Sequence, residues 1–289
     1  MKFWQAITWA ETDQLIEIAR FAEEMGFYGL MSGDHAVYPE SIVPNYPYAE
    51  SGVPPMQPED EYPDQTAIFA AMAAVTSKLL FTCGVYVLPL RNPHEVARAS
   101  ATLAILSDNR FILGVGIGWM KEEFDIYGVD FHQRGKITDE IIEVLQSLWS
   151  GQMVEYHGAH FDFPRVQLSP APSTHPPIYV GGSSEIALRR AARVGGGYIG
   201  AGTAPDDVGS LLHRLNELRQ EYGRDHLPFE AMIGISASPS LTLYQRLADE
   251  GLESTVAPPF QYALGKKHST VDEKKQFMET YAESIMRHF

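Results

Sequence analysis

The sequence predicts an α/β protein built as a closed (β/α)8 TIM barrel, with insertions after strand 2 and after helix 4. Three observations carry that prediction. Eight short β-rich runs recur along the chain, a helical pattern follows each of them, and the length of 289 residues suits one barrel. Strand, helix and strand in strict succession imply a parallel sheet with right-handed crossovers. Eight such units close the sheet on itself, whereas an open doubly wound sheet seldom needs so many.

The β-rich runs are Lys2–Trp9, Tyr28–Gly33, Leu79–Leu88, Arg110–Gly116, Pro177–Gly181, Gly197–Gly202, Phe229–Ala237 and Glu253–Ala257. The helical patterns between them are Thr12–Met25, Asp64–Thr76, Pro93–Leu106, Gly135–Trp149, Ser184–Val194, Pro205–Tyr222, Ser240–Glu250 and Val271–Arg287. Asp64 and either Ser183 or Ser184 suit N-caps, and Gly26 suits a left-handed stop to the first helix. Two segments break the rhythm. Ala36–Tyr62, rich in Pro, Tyr and acidic residues, follows the second strand and therefore falls at the C-terminal mouth, where barrel active sites sit. Its length marks it as a lid that orders over bound ligands, with Tyr38, Tyr46, Tyr48 and Tyr62 available to cover an apolar body. Met153–Pro177 reads as a hairpin, Val154–Tyr156 then His160–Phe163, with a Pro-rich return. No linker, repeat or low-complexity tract interrupts the chain, so one domain over 1–289 is expected, with insertions at 36–62 and 153–177.

Composition excludes several function classes. Lys and Arg number 22 against 37 Asp and Glu, a formal charge of −15, and no basic footprint for nucleic acid results. An anionic ligand is still compatible, because backbone N–H groups hold phosphate without net positive charge. Cys83 is the only cysteine, which rules out an intrachain disulfide and argues against a Cys-based metal site. The ten histidines show no HExxH spacing, so no metal is expected, and no GxSxG elbow occurs. Without an apolar leader or a run of membrane-span length, a cytoplasmic protein free of membrane is expected.

Four places can carry chemistry. Asp34-His35 closes the second strand at the mouth, where an imidazole beside a carboxylate can exchange a proton near neutrality; the plainer reading is a capped turn with a packed His. Gly84 inside the third strand, in Thr82-Cys83-Gly84-Val85, marks a bulge, a close ligand approach or a barrel corner. Gly114-Val115-Gly116-Ile117-Gly118-Trp119 has the wrong spacing for a dinucleotide fingerprint, leaving an accessible Gly-rich strand end with Trp119 as an aromatic wall. Gly181-Gly182-Ser183-Ser184 opens a helix, so free N–H groups and two hydroxyls suit a phosphate; a tight turn with a Ser cap explains the same residues. Lys266-Lys267-His268 reads as a solvated face.

Taken jointly these segments resemble the luciferase-like monooxygenase superfamily, and within it the coenzyme F420-dependent oxidoreductases. The matching stretches are Ala22–Phe27 with Ser32–His35, Thr82–Pro93, Ala101–Leu103, Arg110–Trp119, Glu122–Phe124, Pro176–Gly182 and Ala187–Ala192. The resemblance is strong over about residues 1–200 and holds in outline beyond. It implies a (β/α)8 barrel with a deazaflavin or flavin in its mouth and a homodimeric assembly. It implies that Asp34 and His35 contact the ring and assist proton transfer, and that a bulge or non-proline cis peptide at Gly84-Val85 backs it. A side chain added at Gly84 would then enter ring space. Val87, Gly116 and Gly118 would line the cofactor, and Gly181, Gly182, Ser183 and Ser184 would hold its phosphate arm. The sugar-phosphate dehydrogenases of that branch carry an acidic catalytic residue where this chain has Trp119, which argues against sugar-phosphate oxidation and gives Trp119 the substrate side. Glu122 and Glu123 lie nearby, but a helical offset turns at least one of them elsewhere. Val87 replaces a hydroxyl residue that some relatives use on the cofactor, which leaves FMN open.

The expectation is therefore a hydride-transferring enzyme using F420 and a small organic substrate. The first rival is an FMN-dependent monooxygenase consuming oxygen with a separate reductant. The second is a barrel that binds the cofactor without turnover.

Overall fold

In the computed structural model every residue except Glu50 is described; that one position of the expected 36–62 lid lies outside the described residues. The first strand, β1 (Lys2–Ala6), pairs in parallel with β2 (Gly29–Ser32), which pairs with β3 (Leu80–Cys83). A short continuation, β4 (Tyr86–Val87), follows a cis Gly84–Val85 peptide, and both β3 and β4 pair with β5 (Phe111–Gly116). The circuit runs on through β8 (Ile178–Gly181), β9 (Gly197–Thr203), β10 (Glu230–Ile235) and β11 (Ser254–Ala257), which pairs back onto β1. Counting β3 and β4 as one stave gives eight parallel staves in a closed barrel. The intervening β6 (Val154–His157) and β7 (Asp162–Val166) form the antiparallel hairpin expected in the second insertion.

Side-chain alternation in the staves decides what the barrel holds. Trp4 and Ala6 of β1 point inward with Ile112, Tyr179, Ile199, Met232 and Val256, filling the interior as a packed core. Phe3, just before Trp4, points outward and meets Tyr244 and Tyr281 at ring distances of 5.8 and 6.0 Å. These outward residues belong to the large apolar layer beneath the helix ring.

The helices are α1 (Leu15–Met25), α2 (Gln65–Ala73), α3 (Pro93–Leu106), α4 (Lys121–Tyr127), α5 (Arg134–Trp149), α6 (Glu185–Val194), α7 (Val208–Glu221), α8 (Leu241–Asp249), α9 (Phe260–Leu264) and α10 (Val271–Ser284). Their starts follow local chemistry. Asp64 accepts the Ala67 N–H at 2.9 Å, Asn92 accepts those of His94 and Glu95 ahead of Pro93, and Ser184 caps α6. Replacing such a cap by Ala costs about 1 kcal/mol. Helices α4 and α9 were not expected; with seven and five residues they are too short to show periodicity. No helix among the described residues is long and apolar enough to cross a membrane.

Candidate active site

At the C-terminal rim His35 stands just beyond β2, and its Nδ1 lies 2.9 Å from Oε2 of Glu123. Glu123 sits in the first turn of α4 and is 1% exposed; its Oε1 accepts the N–H groups of Ala36 (2.7 Å) and Val37 (3.4 Å). His35 Nε2 has no hydrogen-bond partner among the described residues. Two aromatic edges fix the imidazole plane, Tyr62 at 5.2 Å and Trp119 at 5.8 Å between ring centres. Acidic residues in a first helical turn are favoured by the unpaired N–H groups there, which suits a carboxylate at this position.

Asp34 has different company. Its carboxylate accepts the Val87 N–H at 3.0 Å and lies 2.9 Å from Arg91 Nη2 through both oxygens. Burial pushes the Asp34 carboxyl up, against the pull of the Arg91 guanidinium and the Val87 N–H. Arg91 in turn stacks over the Tyr86 ring at 4.6 Å. The expected Asp34–His35 pairing is therefore replaced: Asp34 ties β2 to β4, and His35 takes its carboxylate from Glu123, 88 residues away.

Val85, just after the cis bond, is partly buried and packs against the barrel's inner core. A Cβ on Gly116 or on Gly181 would collide with its methyl groups, so glycine at both positions makes room for one valine. At Gly84 a Cβ would strike Met31 Sδ, so a side chain there would first meet this β2 residue. Gly118 carries a positive φ of 77°, with Phe124 and Val87 beside it. Across the rim β8 ends at Gly181; Gly182 (φ 126°) and Ser183 follow it, and Ser184 Oγ accepts the Ala187 N–H at 3.3 Å. That one side-chain contact leaves other first-turn N–H groups of α6 without an intrahelical acceptor. The donor set thus fits a phosphate, and the Val85 shelf fits a flat ring.

The insertion after β2 lies against this rim, held at its ends and middle. Glu123 holds Ala36 and Val37, Glu122 Oε1 accepts the Val43 N–H at 2.8 Å, and Glu61 Oε2 accepts the Thr12 N–H at 2.8 Å. Both α4 carboxylates therefore serve this segment, although only Glu123 reaches His35. Lys267 Nζ approaches Asp60 (3.3 Å) and Glu59 (3.4 Å), so one residue of the solvated Lys266–His268 face also ties down the insertion. Aromatic contacts complete the closure: Tyr46 meets Trp119 at 5.0 Å, Trp9 Nε1 donates to Tyr62 Oη at 2.6 Å, and Met56 is 3% exposed. Burial pushes the Tyr46 phenol up to about 12. Each cation here already has partners: Arg91 has Asp34, Lys267 has Asp60 and Glu59, and Arg134 has the Gly118 and Phe131 carbonyls. Cys83 is fully buried beneath, and desolvation raises its thiol well above the usual range. Among the described residues no group of three or more His, Cys, Asp or Glu is placed to hold a metal.

Known proteins resemble this chain along its whole length. An uncharacterized protein of Mycobacterium tuberculosis is 33% identical over 287 residues, 99% of each chain. The F420-dependent hydroxymycolic acid dehydrogenase of the same organism is 30% identical over 221 residues, 74% of this chain and 56% of that one. Among solved structures, an F420-dependent secondary alcohol dehydrogenase in complex with an F420-acetone adduct superposes with a TM-score of 0.78 at 16% identity, covering 99% and 98% of the two chains. Among solved structures that share the fold is also a type II Baeyer-Villiger monooxygenase component of Pseudomonas putida in complex with FMN, with a TM-score of 0.65 at 17% identity, covering 98% of this chain and 79% of that one. The luciferase-like monooxygenase model matches residues 4–282, and the chain belongs to that family.

Proposed function

We propose that this chain is an oxidoreductase that exchanges hydride between the deazaflavin of coenzyme F420 and a small, uncharged organic substrate. The observation that carries the reading is His35 at the mouth, held through Nδ1 by a buried carboxylate with Nε2 unpartnered. Hydride removal from an alcohol carbon, or delivery to a carbonyl, requires a matching proton transfer at oxygen, and an imidazole does this near neutrality. F420, when bound, supplies a two-electron hydride carrier. Val85 with Gly84 and Val87, flanked by Gly116 and Gly118, would back its ring. Gly181, Gly182, Ser183 and Ser184 would hold its phosphate through N–H groups and hydroxyls. Asp34 supports this shelf by fixing the Val87 backbone.

The substrate side is lined by Trp119, Tyr46 and Tyr62. Because Arg91 and Lys267 are already paired with carboxylates, a phosphate or carboxylate substrate would find no free countercharge in either of them. An uncharged alcohol or ketone meets no such cost. The lid residues Tyr46 and Tyr62 exclude water from the reacting atoms. We further propose a single-domain homodimer working in the cytoplasm, a state that light scattering measures directly.

The test is a side-by-side titration of apo-protein with F420 and FMN, followed by turnover of neutral secondary alcohols and ketones. Tighter F420 binding with loss or gain of deazaflavin absorbance on substrate addition is the expected result. FMN binding with reduction-dependent oxygen uptake would replace the reading with an FMN monooxygenase. F420 binding without turnover of any candidate would favour a carrier.

A further inference from the structure

We propose that Glu123 is the positioning residue for His35, fixing the imidazole with its proton on Nδ1 so that Nε2 faces the mouth as a proton acceptor. Both Glu123 oxygens lie among donors: Oε1 accepts two backbone N–H groups, and Oε2 lies 2.9 Å from Nδ1. An ionised carboxylate has acceptors only, so Nδ1 must be the atom that donates. The neutral ring then carries its lone pair on Nε2. When Nε2 takes a proton, the adjacent carboxylate stabilises the imidazolium without itself becoming protonated, which is how carboxylate–histidine pairs work in unrelated acyl-transfer enzymes. The proton moves from the substrate hydroxyl to Nε2, and Nδ1 keeps its own. The placement is indirect in sequence: α4 brings Glu123 under the loop that follows β2, and Tyr62 and Trp119 close the two sides of the ring.

A purely structural Glu123 would only tether Ala36 and Val37, and glutamine would serve as well. The two roles separate in Glu123→Gln. Its carbonyl can still accept the Ala36 and Val37 N–H groups, but its amide must donate toward Nδ1. The His35 proton then shifts to Nε2, the wrong tautomer for accepting a proton there.

The inference rests on the proton role given to His35, and the experiment keeps the two separable. Histidine-selective ¹⁵N labelling, with His35→Gln to assign the signal, reads the tautomer in cofactor-free protein near neutral pH. Wild type should show Nδ1–H, and Glu123→Gln should show Nε2–H with an unchanged backbone spectrum. In turnover, Glu123→Gln should lower kcat by about 10²- to 10⁴-fold with KM within about twofold, and should add nothing in a His35→Ala background. An Nε2–H tautomer in wild type overturns the proposal without any variant having to fold. So does full kcat in Glu123→Gln when His35→Ala is slow. If the tautomers behave as stated but His35→Ala turns over normally, Glu123 still positions the ring and it is the catalytic reading of His35 that fails.

Discussion

The two ends of the barrel each bury a glutamate, and they treat it in opposite ways. At the N-terminal end Glu230, 8% exposed, takes hydrogen bonds from Ser254 Oγ (2.7 Å) and Trp4 Nε1 (3.3 Å) and an ion pair with Lys2 Nζ (2.5 Å). Burial works against the Lys2 ammonium, but Glu230 more than offsets this and holds it above the usual lysine range. Trp4 of β1 and Ser254 of β11 are fully buried and Lys2 covers the group from the partly exposed edge, so the carboxylate closes the barrel floor. At the mouth, Glu123 satisfies its oxygens equally well, but one of its partners, His35, has a second nitrogen with no partner. A saturated network rigidifies; one with a titratable atom left open can act on a ligand. The difference is what separates a stability end from a working end in this fold.

Four substitutions sharpen or break this contrast. The largest effect belongs to the floor: Glu230→Ala leaves Lys2, Trp4 and Ser254 without their acceptor and should cost about 3–5 kcal/mol of unfolding free energy. Chemical denaturation measures it, and a loss below about 1 kcal/mol would mean the floor network is not what holds that end. His35→Ala should do the reverse, with a melting temperature close to wild type and turnover slowed about 10²-fold or more. If it unfolds the chain instead, the two ends are not different in kind. Replacing the segment from Tyr38 to Asp60 by a short Gly-Ser bridge removes Tyr46 from Trp119 and should raise KM about tenfold, the worth of roughly one aromatic contact, with less change in cofactor dissociation constant. Equal loss of both would make the segment part of the cofactor site.

The smallest effect is electrostatic and lies at the floor. Glu23 accepts N–H bonds from Ser77, Lys78 and Leu79, clamping α1 to the entrance of β3. Desolvation raises its carboxyl, but these backbone donors outweigh it and leave the carboxyl below the usual glutamate range. A depressed folded value means that the stabilisation is present above the ordinary glutamate pKa and disappears as pH falls through the folded one. Wild type should therefore exceed Glu23→Gln in stability near neutrality, and the gap should close in acid. A gap that stays constant with pH would show that the clamp does not depend on charge.

The staves and eight of the helices were legible in the sequence because periodicity and punctuation agree there, as at Gly26, Asp64 and Asn92-Pro93. The mouth was legible only in part. Strand ends identify His35 and Gly181–Ser184 as rim residues, but nothing local announces that Glu123 meets His35 or that Lys267 meets Asp60, since both pairs are made by chain closure. Asp34 was the natural partner for its neighbour, yet successive residues leave a strand on opposite sides, and Asp34 turned to Arg91. Gly116 of β5 and Gly181 of β8 explain themselves only once Val85 is seen between them.

The central claim is that the cofactor occupies the mouth, on the Val85 shelf and the Gly181–Ser184 turn. Hydrogen exchange with and without F420, and in parallel with FMN, tests it most directly. The account predicts that F420 slows exchange at residues 84–87, 116–119 and 181–186 and leaves residues around Lys2 and Glu230 unchanged. Protection of the floor instead of these segments, or no protection by either cofactor at concentrations that saturate binding, would contradict it.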